Sequence, residues 1–252
     1  MFYSMFLKSS IVFFGILLFL IIEFIFPKEK NLVKNKLKRL FKNIFFWLIN
    51  IGLTPILILP ISIYATQIEI HSFFKFDNLI VSFIFQLIII DIFLYWWHRL
   101  NHEIPFLWRF HHVHHLDETL DITSGVRFHF GEVILSALVR SLIIILFNIE
   151  LINLLIIEAI ILLSSIFHHS NINIPEKLEK MISLIFVTPS IHWVHHHQRQ
   201  SETDANYSTI FSWWDKIFNS KSLFKRKLNM PIGVEGDQEQ DLVKLVIRPF
   251  IK

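Results

Sequence analysis

Long apolar runs alternate with short polar segments along much of the chain. Three of these runs, residues 5–26, 44–63 and 79–97, approach the length of about 20 residues that a helix needs to cross a bilayer. The pattern therefore predicts three membrane-spanning helices. No small-residue cleavage site follows the first run, which favours a retained helix over a cleaved signal peptide. Pro55 and Pro60 lie within the second run, and we expect them to kink it, which membrane helices tolerate.

Two shorter apolar runs, residues 133–147 and 151–167, flank a turn at 148–150. Each run is short for a full crossing, so we expect a helical hairpin that enters the membrane and returns to the same side. Arg140 and Glu158 are equally far from the centre of the turn. Because an ionisable side chain within a membrane is costly unless it is paired, we predict a contact between them. The alternative is that one of them lines a polar cavity.

The composition supports a membrane protein. Hydrophobic residues make up 53% of the 252 positions and charged residues only 18%, and the mean hydropathy is +0.51, which is far too apolar for an ordinary soluble domain. The net charge is +3. Seven basic residues against one acid lie in segment 28–42, which by the positive-inside rule is expected in the cytoplasm; docking of a partner protein is the alternative role. Basic residues beside apolar runs argue against a nucleic acid as partner.

Glycine and cysteine usage narrow the chemistry. The six glycines are scattered and form no GxGxxG fingerprint, so a self-contained nucleotide site is not expected. The chain has no cysteine, which excludes disulfides and leaves the redox compartment open. Any metal held by the protein must therefore be bound through nitrogen and oxygen.

The placement of histidine carries most of the chemical information. Residues three and four apart lie on one face of a helix, about 6 Å apart at Cβ, and eight of the fourteen histidines follow that spacing. Imidazole suits zinc, copper, iron and nickel, and eight imidazoles exceed the needs of one ion, so we predict two ions. The absence of thiolate argues against structural zinc and iron–sulfur clusters. The three groups are His98 and His102; His111, His114 and His115; and His192, His195 and His196.

Three other histidines carry weaker expectations. His71 stands apart in the sequence, and we expect it to be incidental. His112 and His197 accompany the groups, and we expect them to support a ligand or to be exposed rather than to bind a metal.

These groups lie in motifs that resemble the fatty acid hydroxylase/sterol desaturase superfamily of membrane non-haem di-iron enzymes. The resemblance covers about residues 80–219. Phe130 and Gly131 replace the proline and the following residue of one family segment, and Ser208 and Asn219 replace two closing glycines. These departures concern backbone geometry rather than ligands. The similar segments are Asp91, Tyr95, Trp96, His98, Arg99 and His102, followed by 108–115, 127–132, 167–171, 188–196, 204–207 and 214–218.

The resemblance implies that the eight spaced histidines are core ligands and adds two more, His129 and His169. The alternative for His129 is a donor to a ligand. Asp91 lies seven residues before His98, on the same helix face, and we expect it to accept an imidazole N–H and so to fix the tautomer. Asp215 is expected to do the same for the last group, with a surface cap as the alternative. Asn206 is expected to serve the site or to shape a turn.

We therefore expect an all-α multipass membrane bundle of four to five hydrophobic helices with a cytoplasmic histidine-rich head. Its expected divisions are N-terminal spans at 1–78, a catalytic domain at 79–219 and a cytoplasmic tail at 220–252. The abundance of Ile, Phe, Lys and Asn is typical of an AT-rich genome and favours a bacterial inner membrane.

The resemblance implies O2-dependent hydroxylation of a membrane lipid by two iron ions. Electrons would come from a separate cytochrome b5-like protein, ferredoxin or reductase. Desaturation, alkylglycerol-type oxygenation, an inactive family member and, from a different class, a metal-binding transporter are the alternatives.

Overall fold

The computed structural model describes residues 2–30, 35–68, 70, 74 and 76–251, and His71 lies outside the described residues. Within this part of the chain the regular structure is helical, and β pairing is confined to three isolated bridges. The all-α prediction is confirmed. The helices are α1 (Phe2–Ile25), α2 (Lys36–Leu53), α3 (Leu59–Gln67), α4 (Leu79–Glu103), α5 (Pro105–His115), α6 (Phe130–Leu146), α7 (Leu151–His169), α8 (Glu176–Ile182), α9 (Pro189–His195), α10 (Gln200–Thr203), α11 (Trp213–Ile217) and α12 (Leu242–Ile247).

The described residues include four helical segments that are long and apolar enough to cross a membrane. They are Lys8–Ile25, Lys36–Gln67, Leu79–Glu103 and Leu151–His169. The second segment is interrupted by a π-helical turn at Thr54–Ile58, which contains Pro55. Proline has no N–H to donate to the regular helical ladder. The expected kink is therefore present as a local change from α-helix to π-helix. The chain is a multipass membrane protein.

The hairpin of α6 and α7 extends to the far end of α4. Asn148 adopts a left-handed conformation in the turn, with φ of 47°. The side chain of Glu150 accepts a hydrogen bond from Ser82 Oγ at 3.2 Å, and its backbone N–H donates to Gln86 Oε1 at 3.2 Å. Both partners lie in the first turns of α4. The hairpin therefore spans most of the depth of α4, although α6 has only 17 residues.

A partly buried ion triad ties the hairpin to α1. Arg140 Nη2 lies 3.3 Å from Glu158 Oε1, so the predicted contact is confirmed. Lys8 Nζ, 2.6 Å from Glu158 Oε2, was not predicted. Lys8 reaches Glu158 because α1 packs closely against α7: a Cβ added to Gly15 would lie 2.5 Å from Leu163 Cδ2. Glu158 thus lies between two cations, as an ionisable group at this depth requires.

The head forms where α4 and α7 end, and it includes part of the basic segment. Arg39 Nε lies 2.6 Å from Asp117 Oδ1, and Lys42 Nζ lies 2.8 Å from Glu239 Oε1. Both basic side chains are buried. Arg39 and Lys42, two of the seven basic residues of segment 28–42, therefore have a structural role in the head, beyond any role in membrane orientation.

Candidate metal centre

Nine imidazoles form two adjacent clusters at the head end of the helices. Within each cluster the ligand nitrogens all lie within 4.8 Å of one another. The clusters touch, since the ring of His115 stacks on that of His196 with centroids 4.3 Å apart. All eight histidines predicted from spacing are present, together with His169. Cluster one comprises His98, His102, His111, His115 and His195, and cluster two comprises His114, His169, His192 and His196.

Each histidine triplet is divided between the two clusters. In α5, His111 and His115 belong to cluster one and His114 to cluster two. In the last triplet, His192 and His196 belong to cluster two and His195 to cluster one. A triplet that lies on one side of a helix therefore supplies ligands to both clusters. Adjacent residues of a helix point about 100° apart, so one turn can serve two ions.

Most of the nine rings are held through Nδ1. Metal-binding histidines typically donate their second ring nitrogen to a carbonyl or carboxylate, which fixes the ring and the tautomer. Six rings make such contacts here. Four of them contact carbonyls: His98 with Tyr207 at 2.8 Å, His114 with Arg127 at 3.1 Å, His169 with Ser165 at 2.7 Å and His195 with Ala205 at 2.7 Å. The other two contact carboxylates: His111 with Glu132 at 3.0 Å and His102 with Asp204 at 3.3 Å.

The facing nitrogens of cluster two fit a bound cation. His114 and His169 donate Nδ1–H to carbonyls, so the Nε2 of each neutral ring carries a bare lone pair. These two Nε2 atoms lie 3.0 Å apart, and His192 Nε2 lies 3.0 Å from His169 Nε2. Lone pairs at this distance repel one another unless a cation lies between them. Nitrogens about 2.0–2.1 Å from one metal ion have such separations.

Burial favours the neutral, metal-binding form of several rings of the head. It lowers the pKa of His195 from 6.5 to about 3. The pKa of His114, His192 and His196 is lowered well below the ordinary value, first by burial and then by neighbouring histidines. The Nε2 atoms of His102 and His195 are buried without a hydrogen-bond partner among the described residues. Neutral, inward-facing nitrogens are the donor set that a metal ion requires.

Comparison with known proteins agrees with this donor set. Residues 83–220, more than half of the chain, match the fatty acid hydroxylase family. The chain belongs to the fatty acid hydroxylase family. No solved structure shows a significant match.

Curated relatives within the superfamily differ in substrate. An ornithine lipid hydroxylase, OlsE, of Rhizobium tropici is 29% identical over 182 residues, covering 71% of this chain and 54% of that protein. The human alkylglycerol monooxygenase is 30% identical over 131 residues, which are 52% of this chain and 28% of the relative. The human cholesterol 25-hydroxylase is 24% identical over 138 residues, which are 54% and 50% of the two chains. The chain thus spans about half or less of the length of these relatives.

Glu132 is an orienting residue that the sequence reasoning missed. It is the last residue of the family segment 127–132, which also contains His129, and it lies in the first turn of α6. Its Oε1 is 3.0 Å from His111 Nδ1 and also accepts a hydrogen bond from Asn101 Nδ2 at 3.4 Å. An acid at the start of an apolar helix, close to a histidine group, was the signal that could have identified it.

His114 depends on a buried network that also involves Arg127. The carbonyl of Arg127 accepts from His114, while its guanidinium Nε donates to the Val113 carbonyl at 3.1 Å and Nη1 contacts Glu239 at 2.7 Å. Arg127 therefore fixes both its own carbonyl and the end of α5. Burial opposes ionisation of the nearby Asp117, but Arg39 and Arg127 outweigh it and lower the pKa of this carboxyl.

His129 is not brought to either cluster. It caps α6: its Nδ1 accepts from the Gly131 N–H at 3.0 Å, and its Nε2 lies 3.0 Å from the Val246 carbonyl. With both ring nitrogens engaged, His129 has none left for a metal in this arrangement, which corrects the expectation from the family motif.

The three remaining described histidines also lie outside the clusters. His168 packs against His192, with ring centroids 4.0 Å apart, and its Nδ1 contacts the Thr209 carbonyl. Arg248 Nε donates to His112 Nδ1 at 3.1 Å, and the Arg199 N–H donates to His197 Nδ1 at 2.9 Å.

The three polar residues expected to support the ligands act through the backbone instead. Asp91 accepts from backbone N–H groups and from the Trp214 indole rather than from an imidazole. Asp215 is buried, not a surface cap, and accepts from the N–H of Tyr207 at 2.8 Å. The Tyr207 carbonyl in turn accepts from His98, so Asp215 positions that ring indirectly. Asn206 shapes a turn, with φ of 58°.

Proposed function

We propose that this protein is an O2-dependent lipid hydroxylase in which cluster one and cluster two each hold one iron ion. One observation carries the proposal: the chain of a fatty acid hydroxylase family member places nine imidazoles in two touching clusters at the ends of its apolar helices. Imidazole suits iron, and the facing nitrogens of cluster two fit a cation. Two bound irons would supply the activation of O2 that attack on an unactivated C–H bond requires.

The chain's own residues would bind, orient and seal this centre. The carbonyls of Tyr207, Arg127, Ser165 and Ala205 fix ring orientation, and Glu132 accepts from His111. Buried apolar side chains beside the histidines exclude water, which strengthens electrostatic interactions within the site. They include Val113, Leu116, Trp193 and Val194.

The proposed substrate is an amphiphilic membrane lipid. By their names, the relatives act on an ornithine lipid, alkylglycerols and cholesterol, and all three are amphiphiles. The clusters lie at the ends of α4 and α7, where a lipid held in the bilayer can present a carbon atom. The same location disfavours a transporter, whose metal ligands are expected near the middle of the spans.

The electron source, orientation and domain division complete the proposal. Hydroxylation by O2 needs two electrons beyond those of the C–H bond, and we propose a separate cytochrome b5-like protein, ferredoxin or reductase as donor. Segment 28–42 supports a cytoplasmic head in a bacterial inner membrane. Residues 1–78, 79–219 and 220–252 are proposed as membrane spans, catalytic domain and tail.

Lipid analysis under labelled oxygen tests the proposal. Membranes of a host expressing the protein, grown under ¹⁸O₂, are expected to accumulate one class of lipid that carries an ¹⁸O hydroxyl. A host expressing His192→Ala should lack that lipid, whereas His197→Gln, which changes a histidine outside the clusters, should keep it. A labelled lipid formed equally by the His192→Ala host, or a new double bond without labelled oxygen, would contradict hydroxylation by this centre.

A further inference from the structure

Two loop segments of the head lie beside the middle of α4. Asp91 is twelve residues from either end of α4, which runs from Leu79 to Glu103. Its carboxylate accepts from the N–H groups of Ile210 and Phe211, both at 3.1 Å, and from the Trp214 indole at 2.8 Å. The segment around residue 210 therefore reaches the same depth as Asp91.

A second segment is paired with the first. The Val187 N–H donates to the Ile210 carbonyl, and the Ser212 N–H donates to the Ile185 carbonyl, both at 2.9 Å. The rings of Phe186 and Phe211 stack with centroids 5.8 Å apart. We call residues 181–187 and 210–218 together the apolar wedge.

The depth of the wedge places it within the hydrocarbon region. Asp91 lies six residues before Trp97, where the apolar run of α4 ends. At 1.5 Å per residue this is about 9 Å inside the edge of that run. The bilayer core is about 30 Å thick, so the wedge reaches well into one leaflet. Each of the two segments of the wedge is too short to be identified from hydropathy as a membrane span.

The outer surface of the wedge is largely apolar and exposed. Side chains this apolar would form a costly patch in water, but they continue the lipid-facing surface of α4, on which Trp96 is 40% exposed. The exposed apolar side chains of the wedge and their exposures are Met181 67%, Leu184 64%, Ile185 47%, Phe186 45% and Ile217 62%. Lys216 is the one exposed charged residue of the wedge, and its long stem lets the ammonium group extend towards the headgroups.

The backbone N–H groups at the centre of the wedge are satisfied by the protein, as contact with lipid requires. A backbone N–H without a partner is costly in hydrocarbon, where no water can replace the bond. From Leu184 to Val187 and from Ile210 to Ser212, every backbone N–H donates to an acceptor of the protein. Asp91 supplies two of these acceptors, which gives this carboxylate within the membrane a structural role.

We propose that the apolar wedge is immersed in the acyl-chain layer of the leaflet next to the head. The exposed Lys177 and Lys180 of α8, which precede the wedge, extend to the headgroups. Because α9 begins two residues after Val187, the last histidine group is carried directly by a lipid-embedded segment. The head is therefore partly immersed in the membrane and does not lie only at its surface. This proposal depends on the depth of α4 and not on the proposed reaction.

Quenching by brominated lipids tests the proposal, and the absence of cysteine makes each label unique. Phe186→Cys and Ile185→Cys are labelled with bimane and reconstituted in phosphatidylcholine vesicles with or without bromine on the acyl chains. Ile84→Cys on α4, where the side chain is 49% exposed, is the lipid-facing control. Glu235→Cys, at an exposed position of the tail, is the aqueous control, and aqueous iodide is the second quencher.

The wedge labels are expected to lose fluorescence to brominated lipid as the Ile84 label does, and to resist iodide. Fluorescence losses closer to those of the Glu235 label would overturn the proposal. Protection from both quenchers would also overturn it, because a second protein chain would then cover the wedge. Only preparations that elute as the unmodified protein does and keep its metal content are compared, and Leu184→Cys replaces either wedge variant that fails this criterion.

Discussion

Cluster one and cluster two draw on the same two histidine triplets in opposite proportions. The α5 triplet gives two rings to cluster one and one to cluster two, and the triplet of α9 reverses this division. Cluster one then gains His98 and His102 from α4, whereas cluster two gains only His169 from α7. Cluster one has five imidazoles and cluster two has four. The comparison shows how one local motif can serve two ions with unequal ligand sets.

The supports of the two clusters also differ. In cluster two, His114 and His169 donate to buried main-chain carbonyls, whereas Nδ1 of His192 and of His196 has no partner among the described residues. In cluster one, four of the five rings are held through Nδ1, and that of His102 contacts the carboxylate of Asp204, whose side chain is 43% exposed. We therefore expect cluster two, which has fewer ligands and fewer held rings, to be the more sensitive to loss of a ligand and cluster one to be the more tolerant of change.

The largest expected effect is loss of a ligand from the smaller cluster. His169→Ala leaves three imidazoles in cluster two, and we expect metal affinity there to fall by more than the roughly 10–100-fold that loss of a ligand's hydrogen-bonding partner costs. His98→Ala leaves four in cluster one and should retain more metal. Metal content per chain, measured on purified protein at limiting free iron, compares the two.

His197→Gln is the matched control for this comparison, since His197 lies outside both clusters. It should keep the metal content of the unmodified protein. Equal metal losses in His169→Ala and His98→Ala would show that the difference in ligand number between the clusters has no consequence.

The buried ion network behind His114 gives the next largest effect. Asp117 accepts from Arg39 at 2.6 and 2.8 Å and is fully buried. Asp117→Leu leaves the guanidinium without its main partner, and breaking a buried pair costs about 3–5 kcal/mol. A loss of this size lowers Tm by roughly 10 °C, measured by thermal unfolding in detergent. The double variant Arg39→Met/Asp117→Leu should lose less stability than the sum of the losses in the two single variants. Strictly additive losses would contradict a stabilising pair between Arg39 and Asp117.

Asp204 offers a milder test on cluster one. Asp204→Ala removes the partner of His102 Nδ1. Because this carboxylate is partly exposed, water can replace it, and we expect a decrease of about 10-fold in the metal affinity of cluster one. Iron titration of the metal-depleted protein should reveal one weakened site, with Glu235→Ala as the exposed-acid control. Weakening of both sites alike would show that the clusters are not independent.

The smallest effect is expected from mild changes of pH. Burial lowers the pKa of His195 from 6.5 to about 3, so the folded, metal-free protein binds fewer protons than the unfolded chain below pH 6.5. Its stability should therefore fall as pH drops from about 6.5 towards 3 and change little between about pH 7 and 8. Thermal unfolding of chelator-treated protein across this range measures the dependence. A stability that rises on acidification would contradict neutral burial of the imidazoles.

Features set by local geometry could be predicted from the sequence. Helical spacing identified eight histidines of the two clusters, and equal distance from a turn predicted the contact between Arg140 and Glu158. The division of the triplets was also open to prediction, since His114 and His115 are adjacent and must point about 100° apart.

Contacts between distant parts of the chain could not be predicted in the same way. His129 fits a family motif, but its Nε2 contacts the carbonyl of Val246, 117 residues away. Asp91 shares a helix face with His98, yet its acceptors serve segment 210–214, more than 100 residues later. In both cases packing of a remote loop decided which partner the polar group meets, and no local pattern records that choice.

The central claim is that the two clusters hold one metal ion each, and a count of bound iron tests it most directly. Protein purified anaerobically with iron, then freed of unbound metal, is expected to contain two irons per chain. Loss of one ligand should weaken only the cluster that contains it. His192→Ala, in cluster two, is expected to keep about one iron, whereas His115→Ala, which leaves four imidazoles in cluster one, is expected to keep between one and two. A single iron in the unmodified protein, or complete loss from either variant with the fold intact, would contradict the account.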